Sequence, residues 1–424
     1  MTQKIYTVAI LGCGARGCET YGDLMAQKPD VYKIVALCDV NVKKLEKYGA
    51  RYGVPEAERY DSVESFFTKK RADVVVIATQ DGQHVGPCIR ALELGYDVLL
   101  EKPITEYREE CESILAAQKK YGGKVLVCHV LRYAPAFLKV AELIDKGTIG
   151  QLVAINATEN VAFWHYAHSF VRGNWRNREV AAPMILAKCC HDLDLLQFYA
   201  KSKCESISSI GSLTFFKEEN APEGSAAYCL DCKYLADCPY SVKRLYIDNW
   251  RVNKPANVWP HNVITPVVPV TEEALTEALK RGPYGRCVFR CDNDVVDHEF
   301  TQMTFANGVK ASLTMMPLSA YGGRIMKFYG TYGEIVLDEE EGFIDIKPFS
   351  IPKERVKISE LSTNGYSHGG GDYYLIETLA EVLEGNAQGA TALEHSIESH
   401  LMGICAEESR LKGGELVYVH GKKA

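Results

Sequence analysis

No apolar run in this chain approaches the ~20 residues that a helix needs to cross a bilayer, so no membrane partner is expected. Long basic runs are also missing and the net charge is −7, which argues against nucleic acid as a partner. No internal repeat is visible, which sets repeat architectures aside. Met1-Thr2-Gln3-Lys4 leads at once into an apolar segment, with no room for a secretory leader, and a cytoplasmic location is expected. Cysteine is not scarce at 15 residues, but the count is odd and the positions are scattered. Several, such as Cys38 and Cys128, fall inside expected strands, and buried reduced thiols are the simplest account of them. At 424 residues, with 47% hydrophobic and 24% charged, the chain has the length and composition of a globular protein of two domains with full cores.

Val8-Ala9-Ile10-Leu11 feeds directly into Gly12-Cys13-Gly14-Ala15-Arg16-Gly17. The physical reading is a buried parallel strand, a tight glycine turn and a helix whose free N–H groups face a pyrophosphate. Gly12 makes the turn, Gly14 lets the backbone approach the phosphates and Gly17 lets the helix pack on the strand, with Ala15 and Arg16 in the same cradle. A second strand, Lys33 to Cys38, ends at Asp39, where a carboxylate binds the adenosine ribose hydroxyls. An acid there repels a 2′-phosphate, so NAD is favoured over NADP.

The alternation continues. Asp73 to Thr79 is a third strand, apolar enough for a sheet covered on both faces. A helix from Val85 to Leu94 stops at Gly95. Asp97 to Leu100 is a fourth strand ending at Glu101-Lys102-Pro103, a helix runs from Glu106 to Lys120, and Lys124 to Cys128 is a fifth strand. This predicts a doubly wound Rossmann sheet over residues 1–130, with Thr79, Glu101, Lys102, Pro103 and His129 at the ligand edge. Residues 131–424 read as an α+β domain with a largely antiparallel open sheet: Gln151 to Ala157, His298 to Phe305, Val309 to Met316 and Lys327 to Gly330. Helices are expected from Met184 to Tyr199, Tyr373 to Glu384 and Leu393 to Arg410. The stretch from about 220 to 291 reads as a loop-rich, cysteine-containing insertion of loops and short helices.

Together these features resemble the Gfo/Idh/MocA family of NAD(P)-dependent oxidoreductases, the group of glucose–fructose oxidoreductase and inositol dehydrogenase. The resemblance rests on the glycine motif with Asp39, on Thr79 followed by His84, on Glu101-Lys102-Pro103, on Arg132-Tyr133 and on His191-Asp192-Leu193-Asp194. It implies that Thr79, His84, Glu101, Lys102 and Pro103 line the cofactor and that Lys102 reaches the reacting hydroxyl. It also implies His191 as the acid/base group, since imidazole exchanges protons near neutrality. The family usually carries Asp four residues before this His; here that position is Ala187, with Lys188 beside it, one helical turn from His191. Lys188 is placed to grip an anionic group or to lower the proton affinity of Lys102. Arg132 and Asp194 join the substrate side by the same resemblance. A further cluster of Trp164, His165, His168, Arg172, Trp175 and Arg176 offers the aromatic faces and cations that sugars and sugar acids bind.

The expected activity is hydride transfer between NAD and a secondary hydroxyl of a sugar, sugar acid or cyclitol, in a homodimer or homotetramer. Two alternatives stand beside it: a redox-neutral, NAD-dependent glycoside hydrolase, kept open by Ala187, and a non-catalytic NAD-binding protein. Cys229-Leu230-Asp231-Cys232 with Cys238 has a spacing compatible with a structural zinc, the fourth ligand coming from Cys287, Cys291 or His261; three free thiols are the other reading.

Overall fold

The computed structural model describes residues 4–179, 181–254, 259–361, 368–385 and 391–421. Six strands, β1 (Tyr6–Leu11), β2 (Tyr32–Cys38), β3 (Arg59–Tyr60), β4 (Val74–Ile77), β5 (Asp97–Leu100) and β6 (Val125–Val127), form one sheet in the order β3-β2-β1-β4-β5-β6. Every pairing in it is parallel. Parallel strands need crossovers that cover both faces, which is why Val74–Ile77 is buried at every position and reads as an unbroken apolar run. The strand order reverses between β1 and β4. The loops leaving those two strands diverge there and open a crevice at the carboxyl ends.

The second sheet has nine strands: β7 (Leu152–Ala162), β8 (Cys204–Ser212), β9 (His298–Phe305), β10 (Lys310–Ser319), β11 (Gly323–Gly330), β12 (Gly333–Asp338), β13 (Phe343–Pro348), β14 (Glu354–Lys357) and β15 (Val417–Tyr418). Their order is β14-β13-β12-β11-β7-β10-β9-β8-β15, and only β7 with β10 is parallel. Helices Cys190–Ala200 and Leu393–Leu411 cover its inner face. The apolar core beneath the first sheet continues without a break into the core beneath the second.

Some elements differ from expectation. The helix expected from Met184 to Tyr199 is broken into Met184–Ala187 and Cys190–Ala200, with Lys188 and Cys189 at the break. The aromatic segment around Trp164 is helical, Phe163–Tyr166 running into Ala167–Arg172, which is wound as a π-helix. The stretch from 220 to 291 holds short helices as expected, Glu272–Arg281 among them, but also a small core of its own around Val242, Tyr246, Leu275 and Leu279.

Helix Gly371–Glu384 returns to the first sheet. Its Leu375, Ile376 and Leu379 pack with Val8, Ile10 and Tyr32, and the Tyr32 hydroxyl donates to the Ile376 carbonyl at 2.7 Å. Lys124 Nζ donates to the Val382 and Leu383 carbonyls at 2.5 and 2.8 Å. This docking carries the start of the helix to the mouth of the glycine turn. Among the described residues no helix is long and apolar enough to cross a membrane.

Candidate active site

The glycine turn is built by close backbone approach. Gly12 has φ +95°, and a side-chain carbon on it would stand 2.3 Å from the Ala78 carbonyl oxygen. On Gly17 such a carbon would stand 2.0 Å from the Gly12 carbonyl oxygen, so the helix that follows can lie on β1 only with glycine there. Gly14 differs: a side-chain carbon there would meet nothing within 4 Å and would project into open space. That space, at the start of helix Ala15–Gly22, is the cradle a pyrophosphate fills. Asp39 closes its far side, its carboxylate held by the Cys13 and Asn41 N–H groups, each at 2.8 Å. These residues fit a dinucleotide.

Arg16 is used differently from a simple cofactor contact. Its guanidinium pairs with Glu101 at 2.6 Å and with Asp372 at 2.6 Å, and donates to the Tyr21 hydroxyl. The glycine turn, the end of β5 and the start of helix Gly371–Glu384 are thereby tied together. Thr79 donates to the Gln83 carbonyl at 3.1 Å. The His84 ring bridges the Pro103 carbonyl at 2.6 Å and the Thr79 carbonyl at 3.3 Å, and so braces the Glu101-Lys102-Pro103 turn, whose Lys102–Pro103 bond is cis.

Lys102 leaves that turn and donates from Nζ to the Ala187 carbonyl at 3.1 Å. At the sequence position where the related motif carries a carboxylate, this chain therefore presents a backbone oxygen to the lysine. His191 lies in the first turn of the next helix, is 6% exposed, and its Nδ1 has no hydrogen-bond partner among the described residues. Burial first, then the charges of Lys102, His129, His368 and Arg324, push its pKa well below the usual imidazole value. His191 is thus held neutral beside a cation. Its ring centroid lies 5.8 Å from that of His129 and 6.1 Å from that of His368. His129 is fully buried, with both ring nitrogens unpartnered among the described residues. Behind it, His400 accepts the Ile104 N–H at 2.8 Å through Nε2 and donates to the Ser396 carbonyl at 2.7 Å, a neutral arrangement in keeping with burial pushing it down to about 3.

On the substrate side the expected residues separate into two groups. His165 packs against Trp164 and Trp259, and burial, then Lys188, His168 and Lys102, push its pKa well down. It therefore shares one neighbourhood with Lys102 and Lys188. Trp175 donates from Nε1 to Asp81 at 3.2 Å, and Asp81 in turn feels Lys102 and His84. Lys188 pairs with Glu159 at 3.1 Å; Glu159 also takes Arg324, which pairs with Asp192 at 2.7 Å.

The other group is engaged in structure. Arg132 and Asp194 are buried and paired with each other at 2.6 and 2.7 Å, with Phe198 under the guanidinium. Arg172 is completely buried and donates to the Arg286 and Tyr240 carbonyls, each at 2.8 Å. His168 is stacked on Tyr284 and bonded to the Tyr246 hydroxyl at 3.0 Å. Arg176 pairs with Asp292 at 2.9 Å.

Sequence reasoning missed His368, Asp372, Glu159 and Arg324. The first two carried a local signal, a glycine triplet bracketed by a histidine and an aspartate. Glu159 and Arg324 sit in strands of ordinary alternation and carried none.

The zinc expectation is corrected. Cys229, Cys232 and Cys238 line a small cavity with Cys287 and Arg172, yet among the described residues no three His, Cys, Asp or Glu side chains converge as metal ligands. The sulfurs have other partners: Cys229 accepts from Arg172 at 3.4 Å and approaches the Arg286 carbonyl at 3.7 Å, while Cys291 points to the Cys287 carbonyl at 3.3 Å. All fifteen cysteines are free.

Residues 6–129 match the oxidoreductase family described by its NAD-binding Rossmann fold (GFO_IDH_MocA), and residues 137–242 match the GFO/IDH/MocA C-terminal domain. A Bacillus subtilis (strain 168) protein named as an oxidoreductase, YteT, is 24% identical over 375 residues, 84% of each chain. Inositol 2-dehydrogenase of Salmonella typhimurium is 25% identical over 35% of this chain and 44% of its own. The 2,7-anhydro-N-acetylneuraminate hydratase of Mediterraneibacter gnavus is 23% identical over 62% of this chain and 64% of its own. Among solved structures, levoglucosan dehydrogenase in complex with NADH and levoglucosan superimposes with a TM-score of 0.71 at 16% identity, covering 98% of this chain and 100% of the other. The WlbA dehydrogenase of Chromobacterium violaceum, in complex with NADH and UDP-GlcNAcA, gives 0.68 at 16% identity over 99% and 97%. At those identities the likeness is one of fold.

Proposed function

Because the chain belongs to the GFO/IDH/MocA family of NAD-binding oxidoreductases, we propose that it oxidises a secondary hydroxyl of a sugar, sugar acid or cyclitol. The reading rests on one juxtaposition: Lys102, at the end of β5 beside the glycine turn, acts electrostatically on a buried, neutral His191. Bound NAD supplies the two-electron acceptor. Glycine-turn backbone and Asp39 hold it, and the Asp39 carboxylate favours a free ribose hydroxyl over a 2′-phosphate. Lys102 hydrogen-bonds the reacting oxygen and favours its negative charge as the O–H proton leaves. His191 receives that proton on a nitrogen that burial has left without a partner. His165, Lys188 and the Trp164–Trp259 pair form the wall that meets the rest of the substrate: apolar ring faces for C–H surfaces, the neutral His165 ring for a hydroxyl, and the Lys188 cation, shared with Glu159, for a hydroxyl or a carboxylate.

A second reading, redox-neutral cleavage of a glycoside, is favoured by one observation: Lys102 meets the Ala187 carbonyl instead of an acid. Purified protein incubated with NAD and a panel of sugars, uronic acids, cyclitols and aryl glycosides separates the two. NADH accumulation with a panel member establishes the dehydrogenase. Aglycone release without NADH replaces it by the glycosidase, and NADH binding with neither product leaves a binding protein. Fifteen unpaired thiols suit a reducing compartment, so we place the protein in the cytoplasm. We also expect copies to associate through the second sheet.

A further inference from the structure

His368 stands in a left-handed backbone conformation, φ +52°, a rare state for a residue with a side chain. It is followed by Gly369 at φ +61° and Gly370 at φ +91°, and then by Gly371, on which a side-chain carbon would stand 2.2 Å from the Val130 carbonyl oxygen. The backbone is thus wound tightly and pressed against the Val130–Tyr133 turn that follows β6. Such strain persists where the surroundings over-determine it, and it gathers at functional sites. What it achieves here is a pairing: His368 Nδ1 lies 2.7 Å from Asp372 Oδ2.

Asp372 is 1% exposed and its other oxygen takes the Arg16 guanidinium at 2.6 Å. Burial works against its charge, but Arg16 and the His368 hydrogen bond hold it well below the usual carboxylate range. An ionised carboxylate on Nδ1 fixes the tautomer with Nδ1–H as donor and leaves Nε2 free to accept. The side chain of His368 is 39% exposed, whereas His191, 6.1 Å away between ring centroids, is buried.

We propose that His368, oriented by Asp372, carries to solvent the proton that His191 takes from the substrate hydroxyl. The inference rests on the dehydrogenase reading above. On oxidation the substrate C–H and O–H bonds break and C=O forms. The C–H hydrogen leaves with its electron pair to the nicotinamide, and the proton passes from the hydroxyl oxygen to His191, to His368 Nε2 and to water. His191 cannot keep it, because Lys102, His129 and Arg324 all face it and it has no carboxylate of its own. Around the neighbouring pair stand Asp372, Arg16 and Tyr21, so the carboxylate missing at position 187 is supplied to the next imidazole along.

Two measurements test this. With a substrate found in the panel, His368→Ala lowers kcat by roughly a hundredfold, the scale of acid–base assistance. NADH affinity stays within about twofold of wild type, and added imidazole restores turnover in proportion to its concentration. His368→Gln, which keeps the shape of the side chain, shows the same loss. Undiminished turnover in His368→Ala, or a loss that imidazole does not restore, overturns the proposal. The second measurement needs no substrate: nitrogen-15 NMR of the neutral imidazoles shows His368 with its proton on Nδ1 and Nε2 bare, as the Asp372 contact requires. The opposite tautomer, with the proton on Nε2, overturns the relay. Failure of the wild-type protein to oxidise any panel member counts against the dehydrogenase reading instead, so the two failures stay distinct.

Discussion

Burial and the neighbouring Lys102 together set the charge of His191. Burial first, and then the cation at the end of β5, keep the imidazole neutral, the form that the proposed base requires. Lys102→Ala removes the hydrogen bond to the reacting oxygen but none of the glycine turn. Turnover should fall by at least ~10²-fold while NADH binding persists, measured by NADH fluorescence beside the rate. A variant that turns over at the wild-type rate overturns the assignment of Lys102. A second residue reports on stability alone. Glu299 on β9 is 1% exposed; burial raises its pKa from an ordinary 4.5 to about 7, although the Ser209 hydroxyl donates to it at 2.8 Å. A carboxyl with a raised folded-state pKa favours folding in its protonated form, so its contribution is complete below the unfolded value and is lost as pH rises through the folded one. Glu299→Gln keeps the Ser209 contact without the charge. It should therefore stabilise the protein more at about pH 8 than at about pH 5, by on the order of 2–3 kcal/mol. Equal stabilisation at both pH values in urea unfolding would show that Glu299 does not titrate in this way.

At the level of the element, the glycine turn separates two roles that the motif combines. Gly17→Ala drives a methyl into the Gly12 carbonyl, so helix and strand must part: thermal stability and NADH affinity should both fall, the affinity by at least ~10-fold. Gly14→Ala places its methyl in open space, so only NADH affinity should fall while the melting temperature stays put. A pair of calorimetric scans with NADH titrations checks this, and a destabilised Gly14→Ala would remove the distinction. The same turn shows what was legible in advance. Strands of the parallel sheet are buried on both faces and so read as continuous apolar runs, which is why β1, β2, β4, β5 and β6 were placed from sequence. Cys204–Ser212 was not expected to be a strand, because serine fills most of its alternating positions. The hairpin strands β12 to β14 were likewise passed over. Lys102 and His191 are marked by local motifs. His368 and Asp372 become neighbours of His191 only because Leu375, Ile376 and Leu379 dock a distant helix on the first sheet, and no local pattern encodes that contact.

At the scale of the whole molecule, the two faces of the nine-stranded sheet are unequal. Helices bury one face; on the other, cross-strand register lines up Ile210, Phe300, Thr314, Thr158 and Ile325 in a row across five neighbouring strands, β8, β9, β10, β7 and β11. Ile210, Phe300 and Ile325 are exposed at 56%, 43% and 37%. Asn156, Ser208, Gln302 and Ser312 beside the row are uncharged, while Lys310, Lys327 and Asp338 bring charges to its margins. A sheet face of this kind suits a twofold contact with a second copy of itself, because a row of β-branched and aromatic side chains is self-complementary about an axis through its middle. The glycine turn and Lys102 belong to the other sheet, so association leaves the cofactor side open. Light scattering at micromolar concentration should report a dimer or larger. Phe300→Arg, which puts a cation into that row, should shift the protein to monomer with NADH affinity unchanged. A wild-type monomer would leave the exposed row without a partner of its own kind and overturn the expectation of self-association.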